Sequence, residues 1–439
     1  MISYYFAPQN TMGAVRPTKL AKYLTRMGHD VTVICGAGMT DAKDPILLRD
    51  MQELKDVHAI REWNPLRDYK ARKRAKVQSE PQSATTPEPA KAAASENAPK
   101  SFMGRIANVV YLYLWLLGDR SFQRKAKREL GKLNGSYDVV FSTYAPLSVH
   151  EVAYAAKKSG LAKRWFADFR DEVNVSFDWL KGYQRCYMQM IREHADSITA
   201  VSNGFLKLMN FDDVGRMLSN GYDREDLNTN QEKFPIEKRP YMQIVYTGQF
   251  QEGRRGVGGR DISPFFRVMR RLVDDGACTE DELQFVYAGP DGAVFGAFAN
   301  EYGFDNCVVD HGLVARDQSL ALQQSADLLM MATVNSKKQI GILTGKLYEY
   351  MMMDKPIVCL MRGDAENSEL SQVLQQTGMG FCCEEAKGDA DVQELYGYCE
   401  QLISRWKKNE PLLMHQNKGE SEAVAYPSIA KTLSDWMDQ

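Results

Sequence analysis

The run Ile340-Gly341-Ile342-Leu343-Thr344-Gly345-Lys346-Leu347-Tyr348-Glu349-Tyr350-Met351 carries a base and an acid about one helical turn apart. Thr344-Gly345 reads as a helix start. The first amides of a helix lack intrahelical partners and stand at the positive end of its dipole, which suits a diphosphate. Lys346 adds a full charge beside them. Glu349, one turn further on, offers a carboxylate to a pair of ribose hydroxyls. An ordinary capped helix with an exposed Lys and Glu is the plain alternative.

Other candidates sit near expected strand ends. Gly13 lies in the loop Ala7 to Gly13, where a missing side chain lets backbone approach a phosphate or a sugar. A simple turn is the alternative there. Asp168, Arg170 and Asp171 follow the apolar run Arg164–Ala167, at a carboxyl end where α/β sheets place ligands. The same charges could form an internal ion pair that braces the loop. His150 follows the turn after Val139–Phe141; its titration range suits a base, and a structural role is the alternative.

The elements that must hold these residues alternate. A strand from Ile2 to Phe6, a helix starting near Pro17 and stopped by Gly28, and a strand over Val31–Ile34 form a β-loop-α-β unit. Further strands are expected at Ser197–Val201, Gln243–Tyr246, Gln284–Tyr287, Val308–Val309, Leu328–Met330 and Ile357–Leu360. Strands alternating with helices predict parallel sheets covered on both faces. The length of 439 residues predicts two domains. The expected division is 1–232, 233–414 and a terminal helix over 415–439 that crosses back to the first domain, with a mobile, Ala/Pro/Ser-rich insertion at about 66–104. Ligands are then expected in the cleft between the two domains.

Composition narrows the function. A net charge of -2 selects no nucleic-acid partner. The eight cysteines form no C-x-x-C pair and read as free thiols of a reducing, cytoplasmic compartment. The chain opens directly in a strand, so no leader is expected, and no run of about 20 apolar residues predicts a membrane span. The apolar run Ile106–Leu117 and the basic residues Arg120, Arg124, Lys125, Lys127 and Arg128 read either as a core helix with a solvated tail or as an interfacial patch for anionic lipid.

The run T-G-K-L-Y-E-Y-M-M-M-D-K-P-I-V resembles the donor-site helix of glycosyltransferase family 4. The likeness extends along the chain in order. Val15-Arg16-Pro17 to Val31 resembles that family's opening, Asp168-Phe169-Arg170-Asp171 its D-F-R-D element, Ala195-Asp196 to Ser202 its A-D-x-I-x-x-V-S strand, and Asn220-Gly221-Tyr222-Asp223 its hinge. Tyr246-Thr247-Gly248 and Ala326-Asp327-Leu328 match in the second domain.

The resemblance implies a GT-B fold: two Rossmann-like, doubly wound parallel-sheet domains. It implies a retaining transfer from a nucleotide diphosphate sugar to a glycan or lipid-linked acceptor, without metal or other cofactor. The donor set it implies is Gly248, Arg254, Arg255, Thr344, Gly345, Lys346 and Glu349, with Arg255, Lys346 and Glu349 catalytic. Gly13, Arg16, His150, Asp168, Arg170 and Asp171 fall on the acceptor side. Two departures stand out. Gln249 occupies a position where the family often has a cation, and Gly341 one where it often has a first glutamate. A nucleotide-sugar epimerase and a silent sugar- or partner-binding module are the rival readings. Surface polysaccharide assembly, peripheral to the cytoplasmic face of a membrane, is the expected setting.

Overall fold

The computed structural model describes residues 1–37, 43–63, 102–173, 181–227, 239–250 and 259–439, with 102–112 described by backbone alone. Most of the expected insertion, residues 228–238 around the expected domain boundary and the two arginines Arg254 and Arg255 lie outside these residues.

Two sheets organise the chain. The strands of the first are β1 (Ile2–Ser3), β2 (Thr32–Gly36), β3 (Asp56–Ile60), β4 (Tyr137–Tyr144), β5 (Ala162–Phe169), β6 (Ser197–Ala200) and β7 (Gly215–Met217). They lie in the order β3-β2-β1-β4-β5-β6-β7. The second sheet holds β8 (Met242–Thr247), β9 (Leu283–Ala288), β10 (Val308–Asp310), β11 (Leu328–Val334), β12 (Ile357–Arg362) and β13 (Gly380–Glu384), in the order β10-β9-β8-β11-β12-β13. All of its pairings are parallel. In each sheet the order reverses once, beside β1 and β4 and beside β8 and β11. Such switch points open a crevice at the strand carboxyl ends.

Helices make the crossovers. In the first sheet's part of the chain these are α1 (Met12–Arg26), α2 (Pro45–Met51), α3 (Phe102–Leu130), α4 (Ser148–Lys158), α5 (Lys181–His194) and α6 (Asn203–Leu208). Later come α7 (Ser263–Asp274), α8 (Gly292–Glu301), α9 (Arg316–Ser325), α10 (Gly345–Met352), α11 (Glu369–Thr377), α12 (Asp389–Lys407), α13 (Lys418–Ala423) and α14 (Tyr426–Asp438). Leu20, Ala21 and Leu24 of α1 are buried at helical spacing, and Gly28 takes φ +96° just past its end. This helix starts at Met12, so Pro17 lies inside it and not at its start. The apolar run and the basic tail form one helix, α3, whose Phe122 and Ala126 are fully buried one turn apart.

By compactness the chain forms two units, Met1–Arg170 with Val175–Ile198, and Asp171–Asn174 with Thr199–Gln439. The segment after Thr199 joins the second unit through specific contacts. Glu369 accepts from the Asn203 and Gly204 amides, and Arg224 pairs with Asp354 at 2.7 Å and Glu422 at 2.9 Å. Tyr222 bridges to Ala425 just before α14. The second unit's core is aromatic: Tyr246, Phe250, Phe265, Phe266, Phe285, Tyr287, Phe295 and Phe304 form one buried cluster with the aliphatic residues of β8, β11 and β12.

Candidate functional site

The switch point of the second sheet gathers the strongest candidates. β8 ends at Thr247, and Gly248 follows with φ +99°, a left-handed conformation that favours glycine. Its amide donates to the Ala288 carbonyl at 2.7 Å, and its own carbonyl accepts from the Tyr287 hydroxyl at 2.7 Å. A Cβ at Gly248 would stand 2.9 Å from the Lys346 Nζ. Backbone and ammonium therefore meet only because this residue has no side chain.

The helix α10 brings Lys346 there. Its Tyr350 hydroxyl accepts from the Thr247 amide at 3.0 Å and donates to the Met330 carbonyl at 3.2 Å. Gln323 donates to the Thr247 hydroxyl at 3.0 Å. These bonds tie α10 to β8 and β11, so the first turn of the helix has a fixed place. Thr344 is the extended residue before it, and its side chain does not cap the helix. The Thr344 hydroxyl and the Lys346 Nζ are both buried without a hydrogen-bond partner among the described residues. Gly345 is the first helical residue, where amide groups lack intrahelical acceptors.

The Lys346 ammonium lies 4.3 Å from the centre of the Tyr246 ring. Burial, with the neighbouring charge of Arg260, pushes its pKa down to about 7, against the opposing pull of Glu349. Arg260 donates to the Gln249 carbonyl at 2.6 Å. A buried polar atom left without a partner costs about 1–3 kcal/mol. Lys346 and Arg260 thus put two basic groups close to the first turn of α10, and the Lys346 Nζ and Thr344 hydroxyl there have no hydrogen-bond partner among the described residues. Arg260 was not among the sequence candidates. It lies outside the recognised motif, and no spacing rule would single it out.

Glu349 is about one-fifth exposed and pairs through Oε1 with Arg316 at 3.5 Å. Gly341 takes φ +74°, and a Cβ there would lie 2.6 Å from the Ser202 hydroxyl and 2.7 Å from the Gly204 Cα. The expected place of a first glutamate is thus a close glycine–glycine contact with no room for a side chain.

In the first unit the acceptor-side candidates divide. Arg16 and Asp168 form a bidentate ion pair, Nε–Oδ2 3.0 Å and Nη2–Oδ1 2.8 Å, and Thr143 donates to Asp168 at 2.7 Å. Both side chains are almost wholly buried, so the pair ties α1 to the carboxyl end of β5 from within. His150, in the first turn of α4, is fully buried. Its Nδ1 lies 2.7 Å from the Ser142 hydroxyl, which also accepts from Trp165 at 2.8 Å, and Phe169 meets its ring edge-on at 4.8 Å. Burial pushes its pKa down to about 3. Its ring is thus part of the buried aromatic wall of this unit. Gly13 stands against Arg170, since a Cβ there would run into the guanidinium. Arg170 donates to the Tyr144 carbonyl at 2.6 Å and lies over the Tyr5 ring at 4.9 Å. Asp171 is exposed.

No protein family's model matches the sequence, and no curated protein matches it. Solved structures do match over the full chain. Anabaena HepE, solved with UDP and glucose, is 11% identical with a TM-score of 0.57, covering 100% of this chain and 99% of its own. It has the GT-B fold. The galactosyltransferase WaaB of the lipopolysaccharide outer core is 13% identical at TM-score 0.53, covering 99% and 97%. A UDP-N-acetylglucosamine 2-epimerase is 11% identical at TM-score 0.50, covering 96% and 93%. Two parallel α/β sheets, each with one reversal of strand order, underlie this shared GT-B architecture. Among the described residues no helix is long and apolar enough to cross a membrane.

Proposed function

We propose that this GT-B protein is a retaining, metal-independent glycosyltransferase of the family 4 type, which moves a sugar from a nucleotide diphosphate sugar to a glycan or lipid-linked acceptor. The observation that carries the reading is the buried, unpartnered ammonium of Lys346 beside Arg260 and the first turn of α10. That arrangement supports a diphosphate as the ligand. HepE was solved with UDP and glucose, and WaaB is a galactosyltransferase; both support a nucleotide-sugar donor.

In the proposed reaction the bond between the sugar C1 and the diphosphate oxygen breaks, and its electron pair stays on the diphosphate. Lys346, Arg260 and the Thr344-Gly345 amides stabilise that charge. Arg255 joins them by its place in the motif. The acceptor hydroxyl bonds to C1 on the face the diphosphate leaves, and its proton passes to a phosphate oxygen. No side chain is assigned as nucleophile. Glu349 holds the donor ribose. Gly13, which lies in the first turn of α1 and not in the expected loop, and Arg170, just after β5, line the acceptor side. The basic cations serve where other enzymes use a metal ion. An acceptor on a lipid carrier would bring the protein to a cytoplasmic membrane face in surface polysaccharide assembly.

The test is incubation of the purified protein with a panel of nucleotide sugars and lipid-linked acceptors, with and without EDTA. Transfer that survives the chelator supports the proposal. Epimerised donor alone, or binding without turnover, would replace it with one of its rivals. An EDTA block relieved by magnesium or manganese would overturn metal independence.

A further inference from the structure

The short 3-10 turn Arg224–Leu227 reaches α10 directly at one end and, through Arg316 of α9, at Glu349. Arg224 reaches the C-terminal end, donating to the Met352 carbonyl at 3.4 Å and pairing with Asp354 at 2.7 Å. Asp226, almost wholly buried, lies 3.5 Å from Arg316 Nη2. The same Nη2 lies 3.5 Å from Glu349 Oε1. Arg316 thus stands between a buried carboxylate that belongs to the scaffold and the carboxylate assigned above to the donor ribose.

Its position in the chain argues that this link has a purpose. Arg316 is the first residue of α9. A cation at a helix N-terminus opposes the macrodipole and is disfavoured there. The side chain is only 14% exposed, so it also loses most of its hydration. Both costs are offset by two carboxylates.

We propose that Arg316 is the positioning residue for Glu349, and through it the determinant of ribose recognition. The inference rests on the donor-site reading above. A free glutamate carries several rotamers, and ordering it on binding costs conformational entropy. The ion pair orders the carboxylate beforehand, so the ribose meets an acceptor already in place. The contact to Arg316 engages one oxygen, and a carboxylate offers about four lone-pair sites. Acceptor capacity for hydroxyl groups therefore remains. Asp226 keeps the guanidinium from following Glu349 when the ligand binds.

The experiment compares ribonucleoside and 2′-deoxyribonucleoside diphosphates, with UDP, GDP, CDP and ADP and their deoxy forms titrated by calorimetry. Wild type, Arg316→Gln and Arg316→Lys are compared, each checked for a native thermal melt. The wild type should prefer the ribo form of its nucleotide by about tenfold, the value of one hydrogen bond to a charged group. Arg316→Gln should reduce that preference to within about twofold, and Arg316→Lys should restore part of it. A merely structural role would lower affinity for both forms and leave their ratio unchanged; a wild-type ratio in Arg316→Gln overturns the assignment. If Arg316→Gln does not fold, the lysine variant decides: an intermediate ratio supports the role, and an unchanged ratio overturns it. A wild type that binds none of the four nucleotides overturns the donor-site reading itself. Binding without ribose preference overturns the role of Glu349 and this inference with it.

Discussion

The Lys346 ammonium stands 4.3 Å from the centre of the Tyr246 ring and has no hydrogen-bond partner among the described residues. The ring face attracts a cation, an effect of about 0.5–2 kcal/mol, but it does not replace the water the ammonium loses. The pKa of about 7 follows from that deficit and from Arg260.

The sign of the pH dependence follows directly. In the free protein Lys346 is largely neutral above about pH 7. A diphosphate favours the charged form, so binding at pH 8 takes up a proton. Affinity should be flat below about pH 7 and fall above it, by at most about tenfold per pH unit. Calorimetry at pH 8 in HEPES and in Tris checks this, because proton uptake makes the observed heats differ with the buffer. Equal heats would contradict it. Arg260→Gln removes a neighbouring charge and should move the breakpoint to higher pH.

Restoring a glutamate at position 341 should not raise activity. The φ of +74° and the contact with Gly204 leave no room for a side chain. Gly341→Glu is expected to cost about 1–3 kcal/mol, from strain and overpacking. A lower melting temperature without gain in turnover is the expected outcome; a stable variant of higher activity would refute the steric account.

Asp168 is expected to matter first for stability. Asp168→Ala leaves Arg16 buried without its bidentate partner, at a cost of about 3–5 kcal/mol by urea denaturation. Replacing both, as Arg16→Met with Asp168→Leu, should recover much of that loss. A destabilisation under about 1 kcal/mol in the single variant would show that the pair is not a brace.

Membrane contact, if the acceptor is lipid-linked, falls to α3. Arg124, Lys125, Lys127 and Arg128 are exposed along it, and Tyr113 is 61% exposed. Each basic residue near an anionic surface contributes about 1 kcal/mol, reduced by salt. Flotation with anionic liposomes at low salt, and not with neutral ones, is the expected result. Absence from both lipid fractions would reject the contact.

The sequence made the fold legible where patterns are strong and local. Buried strands such as Ile357–Leu360 read directly as apolar runs. The strands that escaped sequence reading are β3, β7 and β13, and all three lie at sheet edges. Edge strands are short and half-paired, so their patterns are weak: β3 reads Asp-Val-His-Ala-Ile and β7 has three residues. The same division holds for the site. Lys346 and Glu349 share one helix, so spacing placed them together. The contact of Arg16 with Asp168 spans 152 residues, and no local rule reaches that far. Arg260 and Arg316 likewise reach α10 only through the tertiary fold. The burial of His150 follows from aromatic residues on two other elements, β5 and α5, none adjacent in sequence.

The place where the nucleotide diphosphate binds decides the proposed donor site most directly. Calorimetric titration of UDP, GDP, CDP and ADP into wild type, Lys346→Ala and Glu349→Ala measures it. At least one nucleotide should bind the wild type, and each variant should lose about 1.5–3 kcal/mol of that affinity, the value of a charge-assisted contact. Unchanged affinity in both variants would contradict the placement of the donor on α10.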